Sequence, residues 1–115
     1  MSISKLAVLG CGNIGSAIAK GLAKSGVTPA NIILTHRKAE SLSELNQAGF
    51  QTSDDNANAV QNSEIIFLTV GPSQLMDLLD EISSNLGRNH LLISIVSGVT
   101  IAEIQAKVEI GRAHV

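Results

Sequence analysis

The stretch Leu6-Ala7-Val8-Leu9-Gly10-Cys11-Gly12-Asn13-Ile14-Gly15-Ser16-Ala17 decides the fold, because an apolar run leads directly into a Gly-x-Gly-x-x-Gly motif. A helical pattern follows the motif without a break. A dinucleotide-binding βαβ unit has this order of strand, tight glycine turn and helix N-terminus. In such a unit Gly10 permits the turn, Gly12 lets the backbone approach a pyrophosphate, and Gly15 lets the helix pack closely on the sheet. The alternative interpretation is a glycine-rich turn that serves packing alone.

The size and composition favour a single domain without a nucleic-acid or membrane surface. The chain has 115 residues, enough to bury a core. Its 8 basic residues are scattered, only 2% of its residues are aromatic, and its formal net charge is −2. We find no apolar run of the ~18–20 residues that span a bilayer, and no signal peptide. The single cysteine, Cys11, predicts a cytoplasmic protein without an internal disulfide, and we interpret it as a small turn residue rather than a reactive thiol.

Apolar runs that predict strands alternate along the chain with amphipathic patterns that predict helices. The predicted strands are Lys5–Leu9, Ile32–Thr35, Phe50–Thr52, Glu64–Val70 and Leu91–Ile95. The predicted helices are Asn13–Ser25, Lys38–Ala48, a short helix capped by Asp54 or Asp55 that ends at Val60, a helix that opens at Pro72, and Ile101 to about Val108, capped by Thr100. This alternation predicts an α/β fold, a Rossmann-like doubly wound parallel sheet in the order 3-2-1-4-5 with helices on both faces.

The helical periodicity also predicts which side chains face the sheet. In the first helix these are Ile14, Ala17, Ile18, Gly21 and Leu22; in the second Leu42, Leu45 and Ala48; in the fourth Leu75, Leu78, Leu79 and Ile82. The sequence places Asp80 and Glu81 on a solvated helix face. It places His90 in a loop, where a structural role is favoured over an acid or base role. We find no cluster of His, Cys, Asp and Glu with the spacing of metal ligands.

Ligands of a doubly wound sheet bind at the carboxyl ends of its strands, which here are the glycine turn and segments 35–38, 70–73 and 96–98. NAD-preferring sites hold a carboxylate about 20 residues beyond the glycines, where it binds the ribose 2′-hydroxyl. Here that place holds His36, Arg37 and Lys38. A guanidinium such as that of Arg37 binds phosphate through paired hydrogen bonds, and His36 is suited to donate to the adenine or stack on it. The sequence therefore predicts NADP(H) over NAD(H), unless Arg37 and Lys38 are ordinary solvated charges.

Several stretches together resemble a known family. They are Gly10–Gly15, Asp55-Asn56, Leu68–Pro72 and Ser94–Ile101. In this order and spacing they resemble the N-terminal domain of the pyrroline-5-carboxylate reductases, the last enzymes of proline synthesis, up to about Val108. These enzymes use NAD(P)H to reduce the C=N bond of a cyclic imino acid. The resemblance implies that residues 1–108 form the NADP-binding domain of such an oxidoreductase, with NAD as the alternative cofactor.

The resemblance also assigns contacts to particular residues. The pyrophosphate is assigned to Gly10, Gly12, Asn13, Ile14 and Gly15, and the adenosine side to His36, Arg37, Lys38 and Asn56. The nicotinamide half is assigned to Val70, Gly71, Pro72, Val96 and Ser97, and the imino acid substrate to Ser97, Gly98 and Val99. No side chain is assigned a catalytic role. The sequence departs from the family at Gly71, where a lysine is usual, and at Val96 and Ser97, where the family is alanine-rich.

The family continues into an all-helical domain that forms the dimer and completes the substrate site. This sequence does not contain that domain, so we expect the fragment to be inactive and expect homo-oligomers only with the missing part. Residues 109–115 match a translated sequencing-library adapter and are predicted to be a non-native tail. Two alternatives stay open: a non-catalytic nucleotide-binding module, and another NADP-dependent imine or keto reductase with the same first domain.

Overall fold

The strands and helices alternate as the sequence predicts. The structure, a computed structural model, describes residues 5–87, 89–95 and 101–113. The strands are β1 (Leu6–Leu9), β2 (Ile32–Thr35), β3 (Gln51–Ser53), β4 (Ile65–Leu68) and β5 (Leu91–Ser94). The helices are α1 (Asn13–Lys24), α2 (Ser43–Gln47), α3 (Asn56–Gln61), α4 (Pro72–Ile82) and α5 (Ile101–Ala113), with 3₁₀ turns at Pro29–Asn31, Ala39–Leu42 and Ser83–Asn85. No helix in these ranges is long and apolar enough to cross a membrane.

The sheet has five strands in the order β3-β2-β1-β4-β5, which confirms the predicted topology. All neighbouring strands pair in parallel, and Leu6 of β1 is aligned with Ile32 of β2 on one side and Ile65 of β4 on the other. Every residue of β1 is buried. Because the strands are parallel, their carboxyl ends meet at one edge of the sheet, where the predicted ligand segments begin.

The side chains of β1 alternate between two apolar clusters on opposite faces of the sheet. Leu6 and Val8 pack in a cluster that includes residues of α1 and α2. Ala7 and Leu9 pack in a second cluster that includes residues of α3, α4 and α5. The predicted inner face of α4 is confirmed, since it is fully or nearly fully buried at Leu75, Leu78, Leu79 and Ile82. Burial of each of these side chains contributes about 1.5–3 kcal/mol before the entropy of ordering is subtracted.

The predicted inner face of α1 is rotated relative to the structure. Ile14 is 57% exposed, and Ala17 and Gly21 are also exposed. Gly15 and Ala19 are buried instead, and Ile18 and Leu22 are partly buried, as the prediction expects of them. The helix is close to the sheet at Gly15, where a Cβ atom would lie 3.1 Å from Val8 Cγ1, so a larger residue such as Ile14 does not fit on this face. Ala17 and Gly21 are equally small, so small size permits this orientation but does not by itself determine it.

The second predicted helix is shorter and less regular than the interpretation of residues 38–48 suggests. Residues 39–42 form a 3₁₀ turn before α2, although Leu42 and Leu45 are buried as predicted. Ala48 is exposed, which corrects its predicted inward position. It is the C-cap of α2 and is followed by Gly49 at φ +106°, so the chain has already turned away from the helix axis at this point.

Element ends differ from the prediction mostly by one or two residues. β3 lies one residue later than predicted, β4 is confined to Ile65–Leu68, and β5 ends at Ser94. Asp55 rather than Asp54 caps α3, because its side chain accepts a hydrogen bond from the backbone N–H of Asn58. α5 continues past the predicted end at 108 as far as Ala113. The predicted cap of α5 at Thr100 lies outside the described residues.

Candidate dinucleotide-binding site

The turn between β1 and α1 is tied to the end of β2. The Gly10 N–H donates to Thr35 Oγ1 at 3.2 Å, and the Cys11 N–H donates to the Thr35 carbonyl at 2.7 Å. Gly10 has φ +75°, and a Cβ atom at this position would lie 2.1 Å from Cγ1 of Val70. Only glycine fits both the left-handed backbone and the narrow space, so the tight turn that the sequence predicts at Gly10 is present.

The other two glycines of the motif differ in their surroundings. A Cβ atom at Gly15 would lie 3.0 Å from Thr69 Oγ1 and 3.1 Å from Val8 Cγ1, so this glycine permits the close approach of α1 to the sheet. A Cβ atom at Gly12 would meet nothing within 4 Å. The backbone at Gly12 therefore borders open space, which is the arrangement that the approach of a pyrophosphate requires.

The first turn of α1 presents unused hydrogen-bond donors. The Ser16 N–H donates to the Gly12 carbonyl at 2.8 Å and so begins the helical hydrogen bonding. Within the described part of the chain, the N–H groups of Asn13, Ile14 and Gly15 have no hydrogen-bond acceptor. Unpaired N–H groups at a helix N-terminus, together with the helix dipole, favour a bound anion. The predicted pyrophosphate residues are therefore placed with suitable chemistry.

A cavity of about 220 Å³ lies beside the glycine turn at the same edge of the sheet. It is bordered by the ends of β1 and β2, the start of α3 and one side of α4. Its lining residues are Gly10, Thr35, His36, Arg37, Asn56, Val70, Gln74, Asp77, Leu78 and Glu81. The structure thus brings together residues that the sequence analysis assigned to the cofactor from four separate segments.

The segment after β2 is ordered by backbone hydrogen bonds. The His36 N–H donates to the Ser53 carbonyl at 3.1 Å, and the Lys38 N–H donates to His36 Nδ1 at 3.0 Å. Nδ1 of His36 is therefore an acceptor, and the proton of the neutral ring is on Nε2. The side chain of Arg37 is exposed and borders the cavity, so its guanidinium is accessible to a phosphate group bound there. Lys38 is exposed and lies outside the cavity lining.

The predicted nicotinamide residues are only partly brought to the cavity. Val70 lines it together with Asn56 and Arg37. Gly71 and Pro72 are exposed at the start of α4 and lie outside the lining. The predicted residues Val96, Ser97, Gly98 and Val99 lie outside the described part of the chain.

α4 contributes a polar wall to the cavity that was not predicted from the sequence. Gln74, Asp77 and Glu81 line the cavity, although Glu81 was predicted to be merely solvated. Asn56 donates through Nδ2 to the carboxylate of Glu81, at 3.3 Å and 3.4 Å to its two oxygens. These residues have the spacing i, i+3, i+7, which places them on one face of α4 next to its apolar face. This spacing is the sequence pattern from which a polar face toward the site could have been predicted.

Cys11 lies inside the turn and is 2% exposed. Burial raises the pKa of its thiol from the ordinary value of 9.0, and a hydrogen bond with the Ser16 hydroxyl, with Sγ and Oγ 3.6 Å apart, lowers that pKa to a smaller degree. The thiol is therefore neutral at physiological pH and shielded from solvent. This agrees with the interpretation of Cys11 as a small turn residue rather than a reactive thiol.

His90 is also a structural residue. Its Nδ1 accepts a hydrogen bond from the Gly87 N–H at 2.9 Å, so its Nε2 carries the proton and donates to the Val60 carbonyl at 2.9 Å. Both ring nitrogens are used to hold the loop before β5 against the end of α3.

The parallel sheet in the order 3-2-1-4-5, the glycine turn at a helix N-terminus and the cavity at the carboxyl edge together define a dinucleotide-binding domain of the Rossmann type. Residues 5–98 match the family described as NADP oxidoreductase coenzyme F420-dependent, and the chain belongs to this family.

Individual relatives confirm the resemblance to the pyrroline-5-carboxylate reductases. The chain is 43% identical over 105 residues to pyrroline-5-carboxylate reductase 1 of Dictyostelium discoideum, a match that covers 90% of this chain and 19% of the relative. The structure of a pyrroline-5-carboxylate reductase from Coxiella burnetii matches with a TM-score of 0.87 and 28% identity, over 93% of this chain and 40% of that one. An imine reductase from Myxococcus stipitatus in complex with NADP⁺ matches with a TM-score of 0.74 and 29% identity, over 96% and 37% of the two chains. The chain therefore spans less than half the length of these relatives.

Proposed function

We propose that this chain is the NADP(H)-binding domain of a reductase of the pyrroline-5-carboxylate reductase type, which reduces a cyclic imino acid to proline. The observation that carries the proposal is the cavity at the carboxyl edge, where Arg37 and His36 occupy the place of the NAD-type carboxylate beside a helix with free N–H groups. The similarity to pyrroline-5-carboxylate reductases over about nine tenths of the chain supports the substrate class.

The residues of the chain hold the cofactor rather than carry out bond chemistry. The N–H groups of Asn13, Ile14 and Gly15 bind the pyrophosphate, and Gly12 leaves the space that it needs. Arg37 binds the 2′-phosphate of NADP(H) through its guanidinium, a contact that NAD(H) does not offer. The NADP⁺ bound to the related imine reductase supports this choice of cofactor. NAD(H) is the weaker ligand in this proposal.

A bound reduced nicotinamide supplies a hydride to the carbon of the C=N bond. The chain contributes orientation, since the glycine turn and the cavity fix the nucleotide at one edge of the sheet. The family resemblance places Ser97, Gly98 and Val99 at the substrate. Because the chain spans less than half the length of its relatives, we propose that catalysis needs the rest of a longer protein and that the 115-residue chain binds the nucleotide without turnover.

Exposed apolar side chains support the proposal that a further domain covers this chain. Leu91 is 56% exposed, Ile95 43% and Ile101 74%, and these residues lie on or close to β5. β5 is an edge strand of the sheet and pairs with β4. An apolar edge of this kind favours association and low solubility when it is uncovered.

The alternative candidate is an NADP-dependent imine reductase with a different substrate. It is favoured by Gly71, which replaces the lysine usual in pyrroline-5-carboxylate reductases, and by the similarity to the imine reductase. A chain completed with its natural continuation distinguishes the two, because the first candidate reduces pyrroline-5-carboxylate and the second prefers other cyclic imines.

The cofactor proposal is tested by titrating the chain with NADPH and with NADH and following heat or cofactor fluorescence. We expect NADPH to bind more tightly, and Arg37→Ala to weaken NADPH binding about 10-fold, since a charge-assisted hydrogen bond contributes about 1.5–3 kcal/mol and this side chain is partly screened by solvent. NADH binding is expected to be unchanged.

The matched control is Lys24→Ala, which removes the same charge at the other end of α1, about 16 Å from the glycine turn. Equal binding of both nucleotides by the unsubstituted chain, or equal losses in the two variants, contradicts the role of Arg37. Binding of neither nucleotide contradicts the cofactor site itself.

A further inference from the structure

A chain of hydrogen bonds connects α4 to the glycine turn. The Gly10 N–H donates to Thr35 Oγ1 at 3.2 Å, the Thr35 hydroxyl donates to Asn56 Oδ1, and Asn56 Nδ2 donates to Glu81. All four residues line the same cavity, although Gly10 lies in the turn before α1 and Glu81 lies on α4. Glu81 ends the chain because an ionised carboxylate only accepts hydrogen bonds.

The carboxylate decides the direction of every hydrogen bond in the chain. An asparagine amide has an oxygen on one side and an NH₂ group on the other, and can be rotated by 180°. With a carboxylate beside Nδ2, the Oδ1 atom of Asn56 is turned toward Thr35 and accepts its hydroxyl proton. The Thr35 oxygen then has its lone pairs free for the Gly10 N–H. A rotated amide would place its NH₂ group against Thr35, and the Thr35 hydroxyl proton would lose its acceptor.

Thr35 has no solvent to replace these contacts, since it is 1% exposed. A buried hydroxyl that loses its acceptor is destabilised, and so is the conformation that depends on it. The turn at Gly10 leads directly into Gly12 and the first N–H groups of α1, which receive the pyrophosphate in the proposed binding mode. A change at Glu81 is thus transmitted through Asn56 and Thr35 to the cofactor site.

We propose that Glu81 is a positioning residue of the cofactor site, which orients Asn56 and through it Thr35 and the Gly10 turn. This rests on the proposed function, because it concerns the same nucleotide site. The carboxylate also repels the phosphate groups of both nucleotides, and more strongly those of NADPH, which carries the additional 2′-phosphate. Loss of this repulsion tightens binding, whereas loss of positioning weakens it. Positioning affects NADH and NADPH alike, since both contain the pyrophosphate that the turn receives.

The test compares the chain with its Glu81→Ala, Glu81→Gln and Glu44→Ala variants. Glu44 is an exposed carboxylate of α2 outside the cavity lining and controls for the loss of one charge. We expect Glu81→Ala to weaken NADPH and NADH binding by a similar factor of about 5, of the order of one lost hydrogen bond. Glu81→Gln is expected to stay within about 2-fold of the unsubstituted chain, because its Oε1 atom still accepts from Asn56. Glu44→Ala is expected to have no effect.

A double substitution shows whether Glu81 acts through the hydrogen-bond chain. Thr35→Val removes the central hydroxyl while keeping the shape of the side chain. In that background we expect Glu81→Ala to cause no further loss of affinity. Independent, additive losses overturn the proposal. Tighter NADPH binding by Glu81→Ala also overturns it, since loss of repulsion gives that result and loss of positioning does not.

Amide hydrogen exchange in the nucleotide-free chain separates this proposal from the cofactor proposal. We expect Glu81→Ala to speed exchange of the Gly10 N–H about 5-fold, in line with the loss of about one hydrogen bond, and Glu81→Gln and Glu44→Ala to leave it unchanged. If the unsubstituted chain binds neither nucleotide, the proposed function fails and the exchange rate alone decides the role of Glu81. Unchanged exchange in Glu81→Ala refutes it.

Discussion

Gly10→Ala is expected to destabilise the fold by about 2 kcal/mol. The left-handed backbone at φ +75° costs a residue with a Cβ atom about 1–2 kcal/mol. The new Cβ atom would lie 2.1 Å from Cγ1 of Val70, which forces that side chain into another rotamer at a further cost of about 0.5–1.5 kcal/mol. The reduced flexibility of the unfolded chain offsets about 0.4–1 kcal/mol of this.

Urea unfolding followed by far-ultraviolet circular dichroism measures this change, because the chain has no tryptophan or tyrosine for fluorescence. The matched control is Gly12→Ala. Gly12 has φ −102°, and a Cβ atom there would meet nothing within 4 Å, so we expect its free energy of unfolding to change by less than about 1 kcal/mol. In the proposed binding mode, this control variant nevertheless loses nucleotide affinity.

Val70→Ala isolates the steric part of the effect. Cγ1 of Val70 is the atom nearest to the new Cβ, so in the Val70→Ala background Gly10→Ala is expected to cost only the backbone strain. The two substitutions are then non-additive by about 0.5–1.5 kcal/mol, the cost of the displaced rotamer. Strictly additive effects, or equal destabilisation by Gly10→Ala and Gly12→Ala, would refute the steric reasoning.

Two further predictions concern the buried Cys11 and the partly buried His90, which lie outside the proposed nucleotide contacts. Because burial raises the pKa of Cys11 above its ordinary value of 9.0, the neutral thiol is favoured in the folded chain. Its contribution to stability is complete below pH 9 and is lost as the pH rises through the folded-state value. In urea unfolding measured as a function of pH, a Cys11→Ala variant is expected to lack this decrease in the free energy of unfolding above pH 9. A decrease of equal size in the variant and the unsubstituted chain would contradict the prediction. His90→Ala removes the hydrogen bonds to Gly87 and Val60 and is expected to lower the free energy of unfolding by about 1–3 kcal/mol. A normal unfolding midpoint for this variant would show that water replaces both contacts.

The sheet order and the central turn follow from the order of the local sequence patterns together with the rules for connections in doubly wound sheets. Short apolar runs separated by helical patterns allow few topologies, and the Gly-x-Gly-x-x-Gly motif identifies β1 as the strand at which the order reverses. The buried face of α4 is equally predictable, because Leu75, Leu78, Leu79 and Ile82 repeat at helical spacing. The glycine turn and the buried face of α4 are each marked by a pattern within one short stretch of sequence.

The face of α1 and the polar wall of the cavity depend on contacts between elements. Small residues lie on the inner face of α1, and a hydrophobicity pattern gives them little weight against Ile14. The role of Glu81 depends on its distance from Asn56, a residue 25 positions away in the chain. Sequence periodicity does not report such a distance, whereas the fold sets it directly.

The groups that face the open side of the glycine turn are backbone N–H groups. Main-chain donors are the same whatever side chains occupy positions 13 and 14, so mutation can vary these positions while the anchor for the nucleotide persists. The choice between nucleotides depends instead on side chains at the end of β2, such as Arg37. Evolution can therefore change which nucleotide a domain of this kind accepts by a few substitutions at that strand end, and it leaves the ancestral binding turn intact.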